Sequence, residues 1–260
     1  GRDRCTGLNP HSHRTILKRK VGQIMKSVTN IKLVQRNAKI GQYTSLGALV
    51  VLGLGLFITF KYPTKFEYSL VALLVGFLMS QIGIHFTNRW GHTPRPDEIV
   101  DKSLKGLGRE FTIYHYVTPV SHLLVGPAGI WTIMPNFQGG IIAYDKKRWR
   151  AKGGGFLQSY MRLFGQENLG RPDLESEAEI DSAKRYLKRI LPEGTEIPEV
   201  RSALLFANPK VELKVEDAPL PALTPKELKD FLREKSKEKA LGEVTLSTIR
   251  AALPQAGKEE

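Results

Sequence analysis

Two long stretches without a charged side chain constrain this chain more than any other feature. Residues 41–60 and 68–88 contain no Asp, Glu, Lys or Arg, and a seven-residue segment from Lys61 to Glu67 separates them. Each stretch is close to the ~20 residues that a helix needs to cross a hydrocarbon core about 30 Å thick. Lipid tolerates only backbones whose polar groups are satisfied internally, and two strands cannot close a barrel. The sequence therefore predicts two transmembrane helices, with two buried helices of a soluble fold as the alternative.

The net charge of +13 at pH 7 lies mostly before the first apolar stretch. Ten basic residues and one acidic residue precede residue 42, whereas the chain from Arg89 onward is close to balance. Basic residues in short flanks mark the cytoplasmic side of a membrane, and the turn carries only Lys61 and Lys65. We therefore expect a multi-pass protein of the cell membrane with both termini in the cytoplasm, and residues 1–40 as a basic arm near lipid headgroups.

The first residues give little structural signal. Residues 1–24 show no convincing periodicity, and a more regular pattern begins at Met25, which we expect to be the biological start. His11 and His13 form a His-x-His pattern that is more typical of a solvated arm than of a metal site. Cys5 is the only cysteine, so the chain can form neither an intramolecular disulfide nor a zinc cluster of thiolates.

Beyond a Pro- and Gly-containing linker, the chain alternates helical and strand patterns. Apolar spacing near 3.6 residues predicts helices, and short alternating or continuous apolar runs predict strands. In order, these are a helix at 97–107, strands at 111–117, 123–125 and 130–133, a hairpin at 141–150, a glycine-rich loop at 153–155, a short apolar helix at 156–163, a helix at 173–191, a strand at 200–207, and helices that end near 237 and 253. The α-β-β-β-α-β-α order predicts an α/β domain in three layers.

The stretch of residues 120–149 organises this domain. Its two apolar runs carry hydrophobic side chains on both faces, which indicates strands at the centre of a sheet. Gly126-Pro127-Ala128-Gly129 joins them, and Pro and Gly there supply the fixed and the positive φ that a chain reversal needs. This segment lacks the length and the helix of a phosphate-binding loop, so we interpret it as a turn.

The same stretch resembles the nuclease-related domain (NERD) family, a branch of the PD-(D/E)xK nuclease-like superfamily. The family pattern reads hydrophobic-Asp-His-hydrophobic-Gly-Pro-x-Gly-hydrophobic-Glu-x-Lys, followed by a Gly and a Trp. The positions that fit are Val120, His122, Gly126, Pro127, Gly129, Ile130, Gly139 and Trp149. The resemblance covers residues 96–237, leaves 238–260 as a C-terminal helix and tail, and includes nothing before residue 96. It implies a nuclease-like α-β-β-β-α-β domain.

The chemical positions of the family pattern do not fit. The family's Asp falls on Ser121, its Glu on Met134 and its Lys on Asn136, while Glu98 matches an early helical Glu and is the one acid that remains. The resemblance implies hydrolysis with a divalent metal, which binds through carboxylate oxygens. These neutral side chains predict a degenerate site without a cofactor. We therefore expect a non-catalytic binding or scaffold module at the cytoplasmic membrane face.

Two alternatives stay open. In the first, the protein is an active Mg²⁺-dependent nuclease whose carboxylates have moved to other elements, with His122 either as a base or as a hydrogen-bonded histidine at a strand end. The acids considered for this role are Glu110, Asp145, Glu175 and Glu179. In the second, a membrane-tethered domain binds nucleic acid through a basic cluster, with Trp149 and Phe156 as stacking faces. This cluster comprises Lys146, Lys147, Arg148, Arg150 and Lys152, and the pattern is more typical of a solvated hairpin rim. Beyond lipid, the partner is either nucleic acid or an unidentified protein.

Overall fold

A computed structural model describes residues 25–152, 169–238 and 240–255. Several expectations lie outside these residues: the irregular segment 1–24 with His11 and His13, the glycine-rich loop and short apolar helix near 153–163, and the tail 256–260. The described residues form a mixed helix and sheet structure, which confirms the α/β class.

Two long apolar helices follow one another near the start of the structure. Helix α1 (Ile31–Lys61) begins after Asn30, whose Oδ1 atom accepts a hydrogen bond from the backbone N–H of Leu33 at 2.9 Å. This cap satisfies one of the free N–H groups at the helix start. Helix α2 (Phe66–Phe86) returns antiparallel to α1 after a short turn. Both helices are long and apolar enough to cross a membrane.

Small residues hold the two helices together and leave large apolar side chains on the outside. A Cβ atom on Gly76 would lie 2.7 Å from the side chain of Leu52, so only glycine allows this close approach. The outward side chains of Leu49, Phe60 and Leu74 are 68, 78 and 61% exposed. The hairpin therefore packs against itself through a narrow seam and presents a broad apolar surface.

A six-stranded sheet forms the centre of the domain, in the order β1-β2-β3-β4-β7-β9. Strands β1, β2, β4, β7 and β9 run in one direction, and β3 is antiparallel to its two neighbours. A smaller sheet has the order β6-β5-β8. The strands are β1 (Lys26–Thr29), β2 (Thr112–His115), β3 (His122–Gly126), β4 (Gly129–Asn136), β5 (Gly140–Asp145), β6 (Arg148–Lys152), β7 (Val200–Phe206), β8 (Val211–Lys214) and β9 (Ala222–Leu223).

Helices cover both faces of the large sheet. Helices α3 (Pro96–Leu104) and α5 (Leu228–Glu238) pack on one face, and α4 (Pro172–Ile190) and α6 (Glu243–Ala252) pack on the other. Successive strand residues point to opposite faces, so Ile113 joins the first core and Tyr114 the second. This arrangement matches the three layers expected from the order of elements.

The first strand differs from the expectation for the N-terminal region. We expected residues 1–40 to form a basic arm and the domain to begin at residue 96. The structure instead pairs β1 in parallel with β2, from Lys26 opposite Thr112 to Thr29 opposite His115. Val28 is only 5% exposed and packs in the core on the α4 side. A four-residue strand with one buried apolar residue is too short to show the two-residue alternation of a strand, so it could not be predicted from the sequence.

Strand β4 also continues further than its sequence suggested. The sequence predicted a strand only over residues 130–133, and Pro135 beyond it cannot donate a backbone hydrogen bond to a ladder. The structure keeps β4 paired with β7 through Asn136, with Pro135 opposite Leu205. The pairing of β3 with β4 reaches only to Thr132. Proline is tolerated because this end of β4 extends past its antiparallel neighbour.

Candidate functional site

One edge of the large sheet collects the candidate site residues and the base of the helical hairpin. The carboxyl ends of β1, β2, β4 and β7 meet there with the amino end of β3. Helix α1 starts two residues after β1 ends, and α2 returns to the domain through the π-helical segment Thr87–Gly91. The hairpin therefore leaves and re-enters the domain beside this edge.

Aromatic packing fixes the returning segment against the sheet. Trp90 is buried, and its ring lies 4.5 Å from that of Tyr116, measured between centroids. Val34 of α1 joins the same small cluster. The preceding residue, Arg89, lies over the Trp90 ring with its guanidinium carbon 5.6 Å from the centroid. Packing of Trp90 thus holds the Arg89 guanidinium at the sheet edge.

Each of the three degenerate positions has an internal hydrogen-bond partner. The Ser121 hydroxyl accepts from Nη2 of Arg89 at 3.0 Å. The Met134 sulfur accepts from the Ser202 hydroxyl at 3.3 Å. The side-chain oxygen of Asn136 accepts from the backbone N–H of Gln138 at 2.7 Å.

Glu98 is engaged at the start of its own helix. Its carboxylate accepts from the backbone N–H of Arg95 at 3.0 Å and lies 3.1 Å from the Arg95 guanidinium. Asp97 also pairs with Arg95, at 3.0 Å. These contacts are those of an N-terminal cap. Glu98, the one acid that matches the family pattern, therefore caps the start of α3.

A cleft of about 390 Å³ opens beside the ends of β4 and β7. Its lining combines apolar side chains with an amide and two groups of opposite charge. The lining residues are Arg89, Met134, Pro135, Asn136, Leu169, Pro172, Glu175 and Leu204. We call it the edge cleft. It brings together two of the three degenerate positions, one acid from α4 and the arginine that follows the hairpin.

Glu179 lies one helical turn beyond Glu175, so the two acids share a face of α4. In the described ranges, the Oε2 atom of Glu179 is buried without a hydrogen-bond partner. Burial raises the pKa of this carboxyl to about 7, and the charge of Glu175 adds to the rise while that of Arg89 opposes it. Two of the four acids considered from sequence therefore lie at this edge.

The other two acids lie elsewhere. Glu110 is exposed in the loop before β2, next to Gly108. Asp145 ends β5 at the exposed tip of a hairpin and faces Arg148 across the ladder. Neither is among the residues that line the edge cleft.

A buried histidine pair lies beneath the same sheet edge on the opposite face. Nδ1 of His115 is 2.7 Å from Nδ1 of His122, and Nε2 of His115 is 3.2 Å from a carboxylate oxygen of Asp101. Burial, together with the charges of His115 and Arg89, holds the pKa of His122 well below its ordinary value. His122 is therefore a neutral, hydrogen-bonded histidine at a strand end. Sequence inspection missed its partner because only the β2–β3 register brings the two rings together.

The basic cluster occupies the tip of the β5–β6 hairpin. Lys146 and Lys147 adopt positive φ angles of 49° and 59°, which indicates a tight two-residue turn. Lys146, Lys147, Arg148 and Arg150 are exposed, whereas the side chain of Lys152 lies outside the described set. Trp149 was expected as a stacking face, but it is 9% exposed and packs against Tyr144. Strand alternation turns it inward while Arg148 and Arg150 point out.

Among the described residues, no group of three or more His, Cys, Asp and Glu side chains is arranged to hold a metal ion. The lining of the edge cleft offers instead a guanidinium, one carboxylate, an amide and several apolar side chains. Sequence inspection did not single out Arg89, whose only signal was its position as the first charge after the second apolar stretch. No protein-family model, curated protein or solved structure matches this chain.

Proposed function

We propose that this protein is a membrane-anchored, NERD-like module that binds a ligand or partner at the cytoplasmic membrane face and does not hydrolyse nucleic acid. The observation that carries this proposal is the 3.0 Å hydrogen bond from Arg89 to Ser121. It places a fixed cation at the position where the family pattern has its aspartate. A nuclease needs an anionic oxygen there to hold its metal.

Membrane anchoring is supported by the exposed apolar surface of α1 and α2. In each helix only 11% of the most apolar window is buried within the protein. A core helix of a soluble fold would bury most of such a window, because exposed apolar surface is costly in water. Lipid supplies the missing apolar environment.

The pairing of β1 with β2 supports a topology of two crossings. These strands precede and follow the hairpin, and they are hydrogen-bonded neighbours in one sheet. They therefore lie on one side of the membrane, which requires an even number of crossings. Basic residues before α1 outnumber those in the turn, so we assign that side to the cytoplasm.

The order of elements supports the NERD-like part of the proposal. Helix α3, the antiparallel strands β2, β3 and β4, helix α4 and the parallel strand β7 follow one another as the resemblance implies. The turn Pro127-Ala128 between β3 and β4 ends at Gly129 with φ of 99°, a conformation that favours glycine.

An active nuclease with relocated acids is the second candidate, because Glu175 lines the edge cleft and Glu179 lies one helical turn beyond it on α4. Two features oppose it. Arg89 already contributes positive charge beside these acids, which disfavours a second cation. The lysine of the family pattern is replaced by Asn136, which hydrogen-bonds its own loop.

A nuclease assay separates the two candidates. The detergent-solubilised full-length protein is incubated with single- and double-stranded DNA and with RNA, in Mg²⁺ or Mn²⁺. We expect no metal-dependent cleavage by the parent, by Ser121→Ala or by Asn136→Ala. Cleavage by the parent that Glu179→Gln abolishes and Glu177→Gln preserves would establish the enzyme. Glu177 is a matched control because it is exposed on the same helix.

A salt-dependent gel shift tests nucleic-acid binding through the basic cluster. Replacing Lys146, Lys147, Arg148 and Arg150 by glutamine removes four exposed charges from the hairpin tip. We expect no specific complex from the parent at physiological salt, because the domain is near charge balance and Trp149 is buried. A complex that the fourfold variant loses would favour the nucleic-acid binder.

A further inference from the structure

We infer that the edge cleft binds the phosphoethanolamine headgroup of a membrane lipid, with Arg89 on the phosphate and Glu175 of α4 on the ammonium group. This inference rests on the proposed membrane anchoring and names the ligand of the proposed module.

The first support is the depth of the cleft relative to the membrane. A Cβ atom on Gly41 would lie 2.9 Å from the backbone nitrogen of Thr87. These two residues therefore lie at the same height along the hairpin axis, where the first uncharged stretch begins and the second ends. Arg89 follows Thr87 by two residues, a rise of ~3 Å along a helix. It is the first charge beyond the second stretch. On the proposed topology, Arg89 and the edge cleft therefore lie at the level of the headgroups.

The second support is the capacity of Arg89 to bind phosphate. A guanidinium carries five N–H donors, and its planar fork matches two phosphate oxygens. The hydrogen bond to Ser121 engages one Nη2 atom, and Arg89 as a whole is exposed. The Trp90 ring lies 5.6 Å from the guanidinium carbon and restrains the side chain.

The third support is the charge opposite Arg89. Glu175 lines the cleft, and the Oε2 atom of Glu179, one helical turn farther along α4, lacks a partner within the described part of the chain. A primary ammonium offers three donors to such acceptor oxygens. A headgroup with only negative charge would meet repulsion from α4, so the pair of opposite charges favours a zwitterion.

The lining distinguishes ethanolamine from choline. Quaternary ammonium groups are recognised by aromatic rings, and the described residues that line the edge cleft carry none. The Glu175 carboxylate instead favours an amine that donates hydrogen bonds. The volume of about 390 Å³ falls within the range of roughly 300–1,000 Å³ typical of small-ligand sites, and the apolar side chains of Met134, Leu169 and Leu204 in the lining suit the lipid's glycerol and first methylenes.

Titration of the solubilised full-length protein with short-chain lipids tests this inference. The probes are dihexanoyl phosphatidylethanolamine, dihexanoyl phosphatidylcholine and free O-phosphoethanolamine, and the readout is intrinsic tryptophan fluorescence with thermal shift as a second measure. We expect saturable binding of the ethanolamine lipid, at least tenfold tighter than the choline lipid and the free headgroup. Equal affinity for the choline lipid, or no saturation, would overturn the inference. Equal affinity for free O-phosphoethanolamine would show that the cleft binds the headgroup alone and would contradict a membrane lipid as the ligand.

Matched variants locate the binding. We expect Arg89→Gln and the double variant Glu175→Gln, Glu179→Gln each to lose about tenfold in affinity, and Glu177→Gln to retain it. Unchanged affinity in either of the first two would contradict the assignment to the edge cleft. Far-ultraviolet circular dichroism verifies that each variant is folded.

A flotation assay keeps this inference separate from the proposed anchoring. Full-length protein is reconstituted into vesicles that contain only phosphatidylcholine and is then floated at alkaline pH. Protein that floats with the vesicles but does not bind the ethanolamine probe contradicts the ligand assignment alone. Protein that fails to associate with vesicles contradicts the anchoring on which the ligand assignment rests.

Discussion

The buried carboxyl of Glu179 makes a prediction about stability and pH. Burial raises its pKa from 4.5 to about 7, so the folded state holds this proton more tightly than the unfolded state does. The stabilisation is complete below pH 4.5 and is lost as pH rises through about 7. Glu179→Gln keeps the shape of the protonated side chain and removes the titration. We expect this variant to be more stable than the parent above pH 7.

The size of the effect follows from the shift in pKa. Each pKa unit corresponds to about 1.36 kcal/mol, so linkage predicts that the parent loses about 2.5 kcal/mol between pH 5 and pH 8 from this one group. For a protein of this length, each kcal/mol moves Tm by roughly 2–4 °C. The Tm advantage of Glu179→Gln should therefore grow by roughly 5–10 °C across that interval.

Differential scanning fluorimetry of the full-length protein in a non-ionic detergent measures this, at one scan rate and at half-unit steps of pH. The exposed residue Glu177 supplies the control, since Glu177→Gln removes the same charge from the same helix. Its curve should stay parallel to that of the parent. If the Glu179→Gln curve is also parallel to the parent's, the carboxyl is not protonated in the folded protein and the argument from burial fails.

Three further predictions concern the hairpin, the first strand and Arg89. On the proposed anchoring, lipid covers the apolar surface of α1 and α2, so alkaline carbonate should leave the protein in the membrane pellet; release into the supernatant would contradict this. Hydrogen exchange should be slow at the backbone N–H of Asn30, which donates to the backbone carbonyl of His115 at 3.0 Å. Val28→Asp should make this exchange fast, because it places a charge in the core beneath β1. Fast exchange in the parent would show that β1 is not paired with β2. Arg89→Gln should raise the pKa of Glu179 further, since Arg89 opposes the rise, and nuclear magnetic resonance of labelled glutamate measures the direction.

Much of the fold followed from local patterns in the sequence. The predicted helix at 173–191 appears as Pro172–Ile190, and the predicted strand at 200–207 as Val200–Phe206. In both elements the hydrophobic pattern extends over enough residues to be recognised, and a proline and acidic residues mark the helix start. The turn at Pro127-Ala128 was equally legible, because glycine and proline report backbone conformation directly.

The strands and the site contact that could not be predicted from the sequence depend on contacts between segments distant in the chain. Strand β1 has four residues and gains its place only by pairing with β2 across the whole hairpin. Strands β8 and β9 are likewise short and partly buried, with little period of their own. At the edge cleft, Arg89 reaches Ser121 over 32 residues of chain, and no local pattern records such a contact.

The position of β1 has a consequence for biogenesis. Its register partner in β2 is synthesised 86 residues later, after both apolar helices. At about 5–20 residues per second, that gap lasts roughly 4–17 s. On the proposed topology, the hairpin enters the bilayer while β1 still waits at its surface without a partner. Insertion therefore precedes closure of the sheet, and any delay prolongs the time for which the unpaired edge of β1 is open to strands from other nascent chains.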